Sequence, residues 1–575
     1  MITIFQKQFA YHIKLNSYNQ NVIDDIKSTI HWQAREYIKA DKIWSISLDQ
    51  KAKVESLRIK YNGTYGEQIV EKIGEIPPMP KLTIDIPCKL TMRDYQAEGV
   101  AYGLEKLKFI NGDEPGLGKS MQTIMTIFAL NAWPALIICP ASLKRNWQME
   151  WEKFVGMKAM ILNDSVKNTW PTFYHTGMCK VFIVNYESLK KYFVLDIEKN
   201  NKKKFTLSNV TFKENITLFE SVAIDEIHRT KDMTSQLSKF TKGICANKKV
   251  VIGLTGTPIV NTPKDLVAQL AIIGKLSEVA GNYRNFMIRY CGGMGGKGAT
   301  NLVELNYKLK TTCFFQRLKK DVLKDLPDKI HQIVYCDITT KKEYNEALND
   351  LAKYLREHKD KNDAEINKSM KGEIMVKIGI LKQISARGKM NEVQEYIEEI
   401  LDSGQKVGLF IYHKEIAQYI KQVFPQTLLY TGAQTDDEKN NAVNEFQKCK
   451  TCGVRFENHY NTDHEHVPSD KNLIALSIKS GGVGLTLTAA SRMAVVELPW
   501  HPADCEQIEA RFHRMSQKNS VHCTYFLGKD TIDEHIYDII EKKRSIVDTV
   551  LGVDDDRKFV DDFIKIFDEG KIKEV

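Results

Sequence analysis

Four short runs rich in Val, Ile and Leu punctuate the stretch after residue 90: ALIICP (135–140), KVFIVN (180–185), SVAIDE (221–226) and VVIGLTG (250–256). Each is apolar without alternation, the pattern of a strand buried on both faces of a parallel sheet. Helical spacing of apolar residues lies between them, as in SLKRNWQMEWEKF (142–154). The alternation predicts a doubly wound α/β sheet. From about 275 to 388 the strand pattern gives way to charged helical sequence. It resumes in KVGLFIYH, TLLYTG, NLIALSI, RMAVVEL and HCTYFLG, and TIDEHIYDIIEKKRSIVDTVL reads as a closing helix. Two similar α/β domains with a helical insertion between them follow.

Ahead of the first domain, TIFQKQFAYHIKL and KIWSISL look strand-like, and the prolines of IPPMPKLTIDIP (76–87) mark a boundary. The predicted layout is a small α+β domain over 1–78, a first α/β lobe over 79–274, a helical insertion over 275–388, a second lobe over 389–553 and a helical tail over 554–575.

Composition changes this picture little. The 575 residues, 43% of them hydrophobic and 27% charged, exceed one core and suit several ordinary globular domains. No secretory leader or membrane-length apolar run is apparent, so a cytoplasmic address is expected, with a prokaryotic or viral source favoured and a nuclear address if the source is eukaryotic. The eleven scattered cysteines fit a reducing compartment. A net charge of +9 is compatible with a polyphosphate partner and equally with a lysine-rich surface.

Asp113-Glu-Pro-Gly-Leu-Gly-Lys-Ser120 has the spacing of a phosphate-binding loop. Gly116 and Gly118 let backbone N–H groups curl round phosphate oxygens, Lys119 reaches the β/γ-phosphates, and Ser120 ligates Mg²⁺. Asp113 stands where Gly is commoner. Asp225-Glu226 directly follows an apolar strand, where one carboxylate can hold Mg²⁺ and its neighbour can orient the attacking water. Gln507, Arg511 and Arg514 share one helical face, suited to stabilising charge on a γ-phosphate.

The order of these blocks resembles the Swi/Snf-type superfamily 2 helicase-like ATPases. Leu90-Thr-Met-Arg-Asp-Tyr-Gln96 looks like the adenine-reading Q motif. Ile138–Ser142 with Trp147, Asn185-Tyr-Glu187 and Leu254–Pro258 with Asn261 resemble motifs Ia, Ib and III. Arg317–Pro327 is similar to a block peculiar to that family. Thr431-Gly432, Ser480–Thr486, Trp500-His-Pro502 and Arg511-x-x-Arg514-x-x-Gln517 continue the series. Gln316, Lys439, Thr486 and Ser516 depart from the usual residues.

The resemblance implies two RecA-like lobes, ATP and Mg²⁺ as cofactors, and a DNA-dependent ATPase that tracks along double-stranded DNA, with a monomer expected. Gln96, Asp113, Gly116, Leu117, Gly118, Lys119, Ser120, Asp225, Gly484 and Gln507 are the implied ATP and Mg²⁺ contacts, and Glu226, Arg511 and Arg514 join Lys119 and Asp225 in catalysis. Ser142, Lys144, Asn185, Lys414, Thr431, Gly432, Lys479, Thr486 and Trp500 are the implied DNA contacts. Residues 9–48 look like the domain that precedes the motor in the HepA-related, annealing-helicase branch, which implies forked or branched DNA as substrate and replication or repair proteins as partners. A chromatin or protein–DNA remodeller, an RNA helicase of the same superfamily, and a non-hydrolysing DNA-binding scaffold are the alternatives.

One further pattern lies outside the motor blocks. Cys449-Lys-Thr-Cys452-Gly453 is followed by His459, His464 and His466. A Cys-x-x-Cys-Gly turn offers two thiolates for tetrahedral Zn²⁺. His464 and His466 are expected to complete the set, with His459 as the alternative ligand; a solvated loop with incidental cysteines and histidines is the other reading.

Overall fold

The computed structural model describes residues 2–7, 9–38, 41–66, 75–198, 206–256, 263–296, 298–357, 364–478, 485–500 and 502–547. Gly484, Lys479, the Pro258 and Asn261 end of motif III, and the predicted tail 554–575 lie outside them. The chain divides into two compact units, Met1–Glu114 with Gly118–Leu318, and Pro115–Leu117 with Lys319–Val575.

The first unit holds two sheets that matter for function. At the N-terminus, strands Arg35–Ile38, Ile43–Ser47, Ala10–Leu15, Ile2–Lys7 and Thr64–Tyr65 lie in that spatial order. Pairing is antiparallel except between the last two. The expected TIFQKQFAYHIKL run is therefore a hairpin. Ile4, Ile13, Trp44 and Ile46 face Val22, Ile26, Val54 and Leu57 from the two helices Gln20–Thr29 and Lys51–Lys60, which gives the small domain a core of its own.

The larger sheet has seven strands in the order Phe314–Phe315, Lys108–Asn111, Val250–Leu254, Ser221–Asp225, Ala135–Cys139, Val181–Asn185 and Ala159–Ile161. All neighbours are parallel. The four apolar runs read from the sequence form its centre, buried on both faces. Helix Lys144–Val155 shows why the intervening segments are helical. Trp147, Trp151 and Phe154 recur on one buried face, and Gly156 ends the helix at φ 71°, a left-handed conformation that a side chain would strain.

The second unit carries a six-stranded parallel sheet, in the order Lys329–Cys336, Val521–Gly528, Arg492–Val495, Val407–Ile411, Leu473–Ser477 and Leu428–Tyr430. The fold is the expected α/β pair of doubly wound parallel sheets with a small α+β domain ahead of them. The stretch 275–388 is not one insertion. Its first part ends in the Phe314–Phe315 strand of the first sheet, and its second part supplies Lys329–Cys336, the edge of the second. That strand, KIHQIVYC, is mostly exposed on an edge, so its polar residues hid it from a search for apolar runs. No helix among the described residues is long and apolar enough to cross a membrane.

Candidate active site and candidate metal centre

A parallel sheet aligns the carboxyl ends of its strands, and loops leaving that edge collect functional groups. The Lys108–Asn111 strand runs into the phosphate-loop sequence, in which Gly116 (φ 98°) and Gly118 (φ 83°) take the left-handed conformations that need glycine. Helix Lys119–Ala129 begins directly after Gly118, so its N-terminal N–H groups point at the loop. Lys119 Nζ donates to the Asp113 carbonyl at 2.6 Å, and Ser120 sits half-buried on the first turn.

Asp113 is a correction. Its carboxylate, expected among nucleotide contacts, is fully buried and engaged on both oxygens. Oδ1 accepts from the Arg317 N–H and Nε, each at 3.0 Å. Oδ2 accepts from Arg317 Nη2 at 2.5 Å and from Gln122 Nε2 at 3.1 Å. Arg317 also lies over the Tyr95 and Phe315 rings, its carbon 5.3 and 4.9 Å from their centroids, and Nη1 donates to the Tyr95 carbonyl. Asp where Gly is commoner is thus a buried anchor for the loop. Gln96 is likewise buried, and its Oε1 accepts from the Arg93 N–H at 3.0 Å, closing a capping box at the start of helix Asp94–Lys106.

Asp225 ends the Ser221–Asp225 strand, one strand removed from Lys108–Asn111. Trp147 Nε1 donates to its Oδ2 at 2.9 Å, and Tyr186 Oη donates to its carbonyl at 2.7 Å. Burial pushes the Asp225 carboxyl up to about 7, and the adjacent Glu226 charge adds to the rise; the Trp147 bond and the Lys119 charge pull the other way. Glu226 adopts φ 54°, an uncommon left-handed conformation for a non-glycine residue. Its Oε2 lies 3.2 Å from His228 Nδ1, which in turn is 2.9 Å from Thr255 Oγ1 at the end of the neighbouring strand. One acid is held by donors while the other sits on a turn beside a histidine, which suits metal holding and water orientation respectively.

The same sheet edge presents the expected DNA contacts of this unit. Ser142 is exposed and Lys144 half-buried, after the Ala135–Cys139 strand. Asn185 donates through Nδ2 to Glu187 Oε2 at 2.8 Å and accepts from Ser188 Oγ at 2.8 Å.

In the second unit, helix Pro502–Phe512 carries Gln507 and Arg511, with Arg514 just beyond. Arg511 Nε donates to the Gln507 carbonyl at 3.0 Å. Arg514 Nε donates to the Ala510 carbonyl at 2.9 Å, and its Nη1 to Thr486 Oγ1 at 2.8 Å. Lys414 and Gly432 are exposed. Thr431 is buried, and its hydroxyl donates to Gln434 Oε1 at 2.7 Å within a turn rather than facing outward. Trp500 is half-buried under the Lys382 ammonium, 3.9 Å from the ring centroid.

The cysteine-histidine loop closes on itself. Helix Asp436–Gln447 leads into it, and the isolated bridges Lys448–Arg455 and Cys449–Pro468 fold it back. Ligand atoms of Cys449, Cys452, His459 and His464 all lie within 4.8 Å of one another. Cys449 Sγ is 3.5 Å from His464 Nε2, and Cys452 Sγ is 3.5 Å from His459 Nε2. Zinc bonds of about 2.3 Å to sulfur and 2.0–2.1 Å to nitrogen at a tetrahedral angle put S and N about 3.6 Å apart, so the donor set fits Zn²⁺. Thr462 Oγ1 lies beside the His459 ring, 2.8 Å from Nδ1 and 3.3 Å from Nε2. Burial pushes the Cys449 thiol up, but backbone N–H groups and His464 outweigh it and bring it down to about 4, a thiolate at neutral pH.

His466 is the second correction. Its Nε2 donates to the Gln447 carbonyl at 3.1 Å and its ring meets Phe456 edge-on at 5.0 Å, so His459 takes the place expected of it. Spacing alone offered three histidines for two positions. The residues that sequence reading missed as site components are Arg317 as the partner of Asp113 and Trp147 as the donor to Asp225. Both stand in the motif series, Trp147 with Ile138–Ser142 and Arg317 at the head of Arg317–Pro327, but that series assigns neither its carboxylate partner.

Comparison with known proteins gives a consistent result. The SNF2-related domain family matches residues 44–393. The Caenorhabditis elegans "SWI/SNF-related matrix-associated actin-dependent regulator of chromatin subfamily A-like protein 1 homolog" is 27% identical over 566 residues, covering 94% of this chain and 74% of its own length. The human "DNA annealing helicase and endonuclease ZRANB3" is 27% identical over 475 residues, covering 80% of this chain but 40% of its own length. Among solved structures, a Sulfolobus solfataricus SWI2/SNF2 ATPase core in complex with dsDNA aligns over 86% of this chain and 99% of its own, at 22% identity and a TM-score of 0.37.

Proposed function

The chain belongs to the SNF2-related family of helicase-like ATPases, and we propose that it is a motor whose ATP hydrolysis is stimulated by double-stranded DNA and which remodels forked or branched DNA. The observation that carries this reading is the shared carboxyl edge of the first sheet. Lys119, Ser120, Asp225 and Glu226 lie along one part of it and Ser142, Lys144 and Asn185 along the rest. ATP and Mg²⁺ bound by the first group gain a phosphate cradle, a metal-holding carboxylate and a residue to orient water. Arg511 and Arg514 are assigned to transition-state charge. Polar groups that meet DNA at phosphates give sequence-independent, salt-sensitive binding. The human relative is a named DNA annealing helicase, which supports annealing chemistry, although the chain spans less than half of that protein.

The test is ATP turnover on linear duplex, forked DNA, single-stranded DNA and RNA, with Lys119→Ala as control. Stimulation by duplex and forked DNA above single strands and RNA is expected. Greater stimulation by RNA points to an RNA helicase, and a wild type with no more turnover than Lys119→Ala points to a scaffold. Translocation without duplex opening is also expected, so strong displacement of a blunt duplex by purified protein contradicts it.

The 3.5 Å sulfur–nitrogen separations support a second component, a structural Zn²⁺ held by Cys449, Cys452, His459 and His464. Near-stoichiometric zinc by elemental analysis, lost in Cys449→Ser/Cys452→Ser, is the expected result; a fully stable wild type without metal overturns it.

A further inference from the structure

Gln447, the last residue of helix Asp436–Gln447, is fully buried, and three of its polar groups reach two different places. Nε2 donates to Glu457 Oε2 at 2.7 Å, and the backbone carbonyl accepts from His466 Nε2 at 3.1 Å; both partners belong to the cysteine-histidine loop. Oε1 accepts from the Ala489 N–H at 2.9 Å, in the loop that follows Thr486.

That second loop is gripped from its other side by the arginine segment. Arg514 Nη1 donates to Thr486 Oγ1 at 2.8 Å, and the Leu487 N–H donates to the Arg511 carbonyl at 2.9 Å. Thr488 and Ser516 share a hydroxyl bond of 2.8 Å, and Gln517 Nε2 donates to the Ala490 carbonyl at 2.9 Å. A separate contact runs from the cysteine-histidine loop to the residue after this segment, since Lys518 Nζ lies 5.8 Å from the Phe456 ring centroid. Both routes join the thiol cluster to the arginines within one unit.

We propose that the loop 449–470 is a strut that sets the position of the arginine segment 511–517, with Gln447 as the positioning residue that joins them. The proposal rests on the zinc reading and adds a catalytic consequence to it. The loop is too polar and too short to build a core, so metal bonds fix Glu457 and His466. Glu457 fixes the Gln447 side-chain amide and His466 its backbone carbonyl, and the amide holds Ala489 and through it the loop that carries Thr486. A guanidinium displaced by an ångström from a developing charge loses much of its effect, so loosening the strut lowers turnover without touching nucleotide.

The experiment uses the full chain with saturating duplex DNA. Gln447→Leu is expected to keep zinc and ATP KM while kcat falls about tenfold. Gln447→Glu sets two carboxylates against each other and is expected to behave similarly. Adding Glu457→Gln moves the amide to the other end of the same hydrogen bond and restores kcat. Stripping zinc with a chelator reproduces the fall, and re-adding zinc reverses it. A purely supporting role for the loop lowers the melting temperature of these variants with kcat unchanged, and that result overturns the strut while leaving the zinc. Wild-type protein without stoichiometric zinc overturns the zinc reading and the strut with it.

Discussion

Asp113 and Asp225 in the first unit accept from side chains far along the chain, whereas Arg511 and Arg514 in the second each donate to a carbonyl one helical turn back. Arg317 reaches Asp113 across 204 positions and Trp147 reaches Asp225 across 78. Arg511 and Arg514 each bond the carbonyl four residues earlier, with Thr486 as a more distant partner of Arg514. The difference has a physical origin. Buried carboxylates are costly unless donors surround them, and donors of fixed direction come from other elements of the sheet. An arginine on a helix carries its charge on a long stem that folds back on its own turn, so local bonds supply part of its support and Thr486 adds to it for Arg514.

The contrast is sharpest if the arginines are removed. Arg511→Ala and Arg514→Ala, and equally Lys119→Ala, are expected to lower DNA-stimulated kcat by about 10²–10³-fold or more, with melting temperature nearly unchanged for Arg514→Ala. Steady-state turnover and thermal melting read the two effects separately. Loss of fold instead of loss of rate breaks the distinction drawn between the halves.

Next comes the buried pair. Arg317→Ala leaves the Asp113 carboxylate buried with donors missing, at a cost of about 3–5 kcal/mol, seen as a melting temperature lower by about 5–8 °C. Arg317→Met combined with Asp113→Asn is expected to recover most of that loss, because no unpaired charge remains. Equal destabilisation by the single and the double variant contradicts the assignment of Asp113 as an anchor.

A smaller effect is expected at Trp147. Trp147→Phe removes a hydrogen bond worth about 1–3 kcal/mol to a charged acceptor. Asp225 must be ionised to hold Mg²⁺, and its folded value is about 7, so turnover at limiting Mg²⁺ falls as pH drops through that region. Because the Trp147 bond favours the carboxylate, its loss moves the acidic limb to higher pH, and raising Mg²⁺ moves it back down. A pH–rate profile at two Mg²⁺ concentrations checks the sign. Smallest of all, Lys144→Ala is expected to weaken duplex binding uniformly across sequences and reduce the salt slope by about 1 in a fluorescence titration.

These cases also mark what was legible in the sequence. Continuous apolar runs located the central strands of both sheets, and Gly116, Gly118, Lys119 and the Asp225-Glu226 pair declared themselves through spacing, because turn and helix geometry are local. The Arg317–Asp113 and Trp147–Asp225 bonds depend on which strands lie side by side, which no spacing encodes. The Lys329–Cys336 strand escaped notice because an edge tolerates polar residues. In the cysteine loop the turn fixed the two thiols, but the choice of His459 over His466 was set by where Gln447 and Phe456 sit.

The most direct measurement pairs nucleotide binding with single-turnover hydrolysis in Arg511→Ala/Arg514→Ala, with and without duplex DNA. With the acids and Lys119 intact, this variant is expected to bind ATP within about threefold of wild type and to hydrolyse it no faster when duplex is added. Duplex-stimulated hydrolysis that survives the loss of both guanidinium groups contradicts the division of labour proposed for this motor.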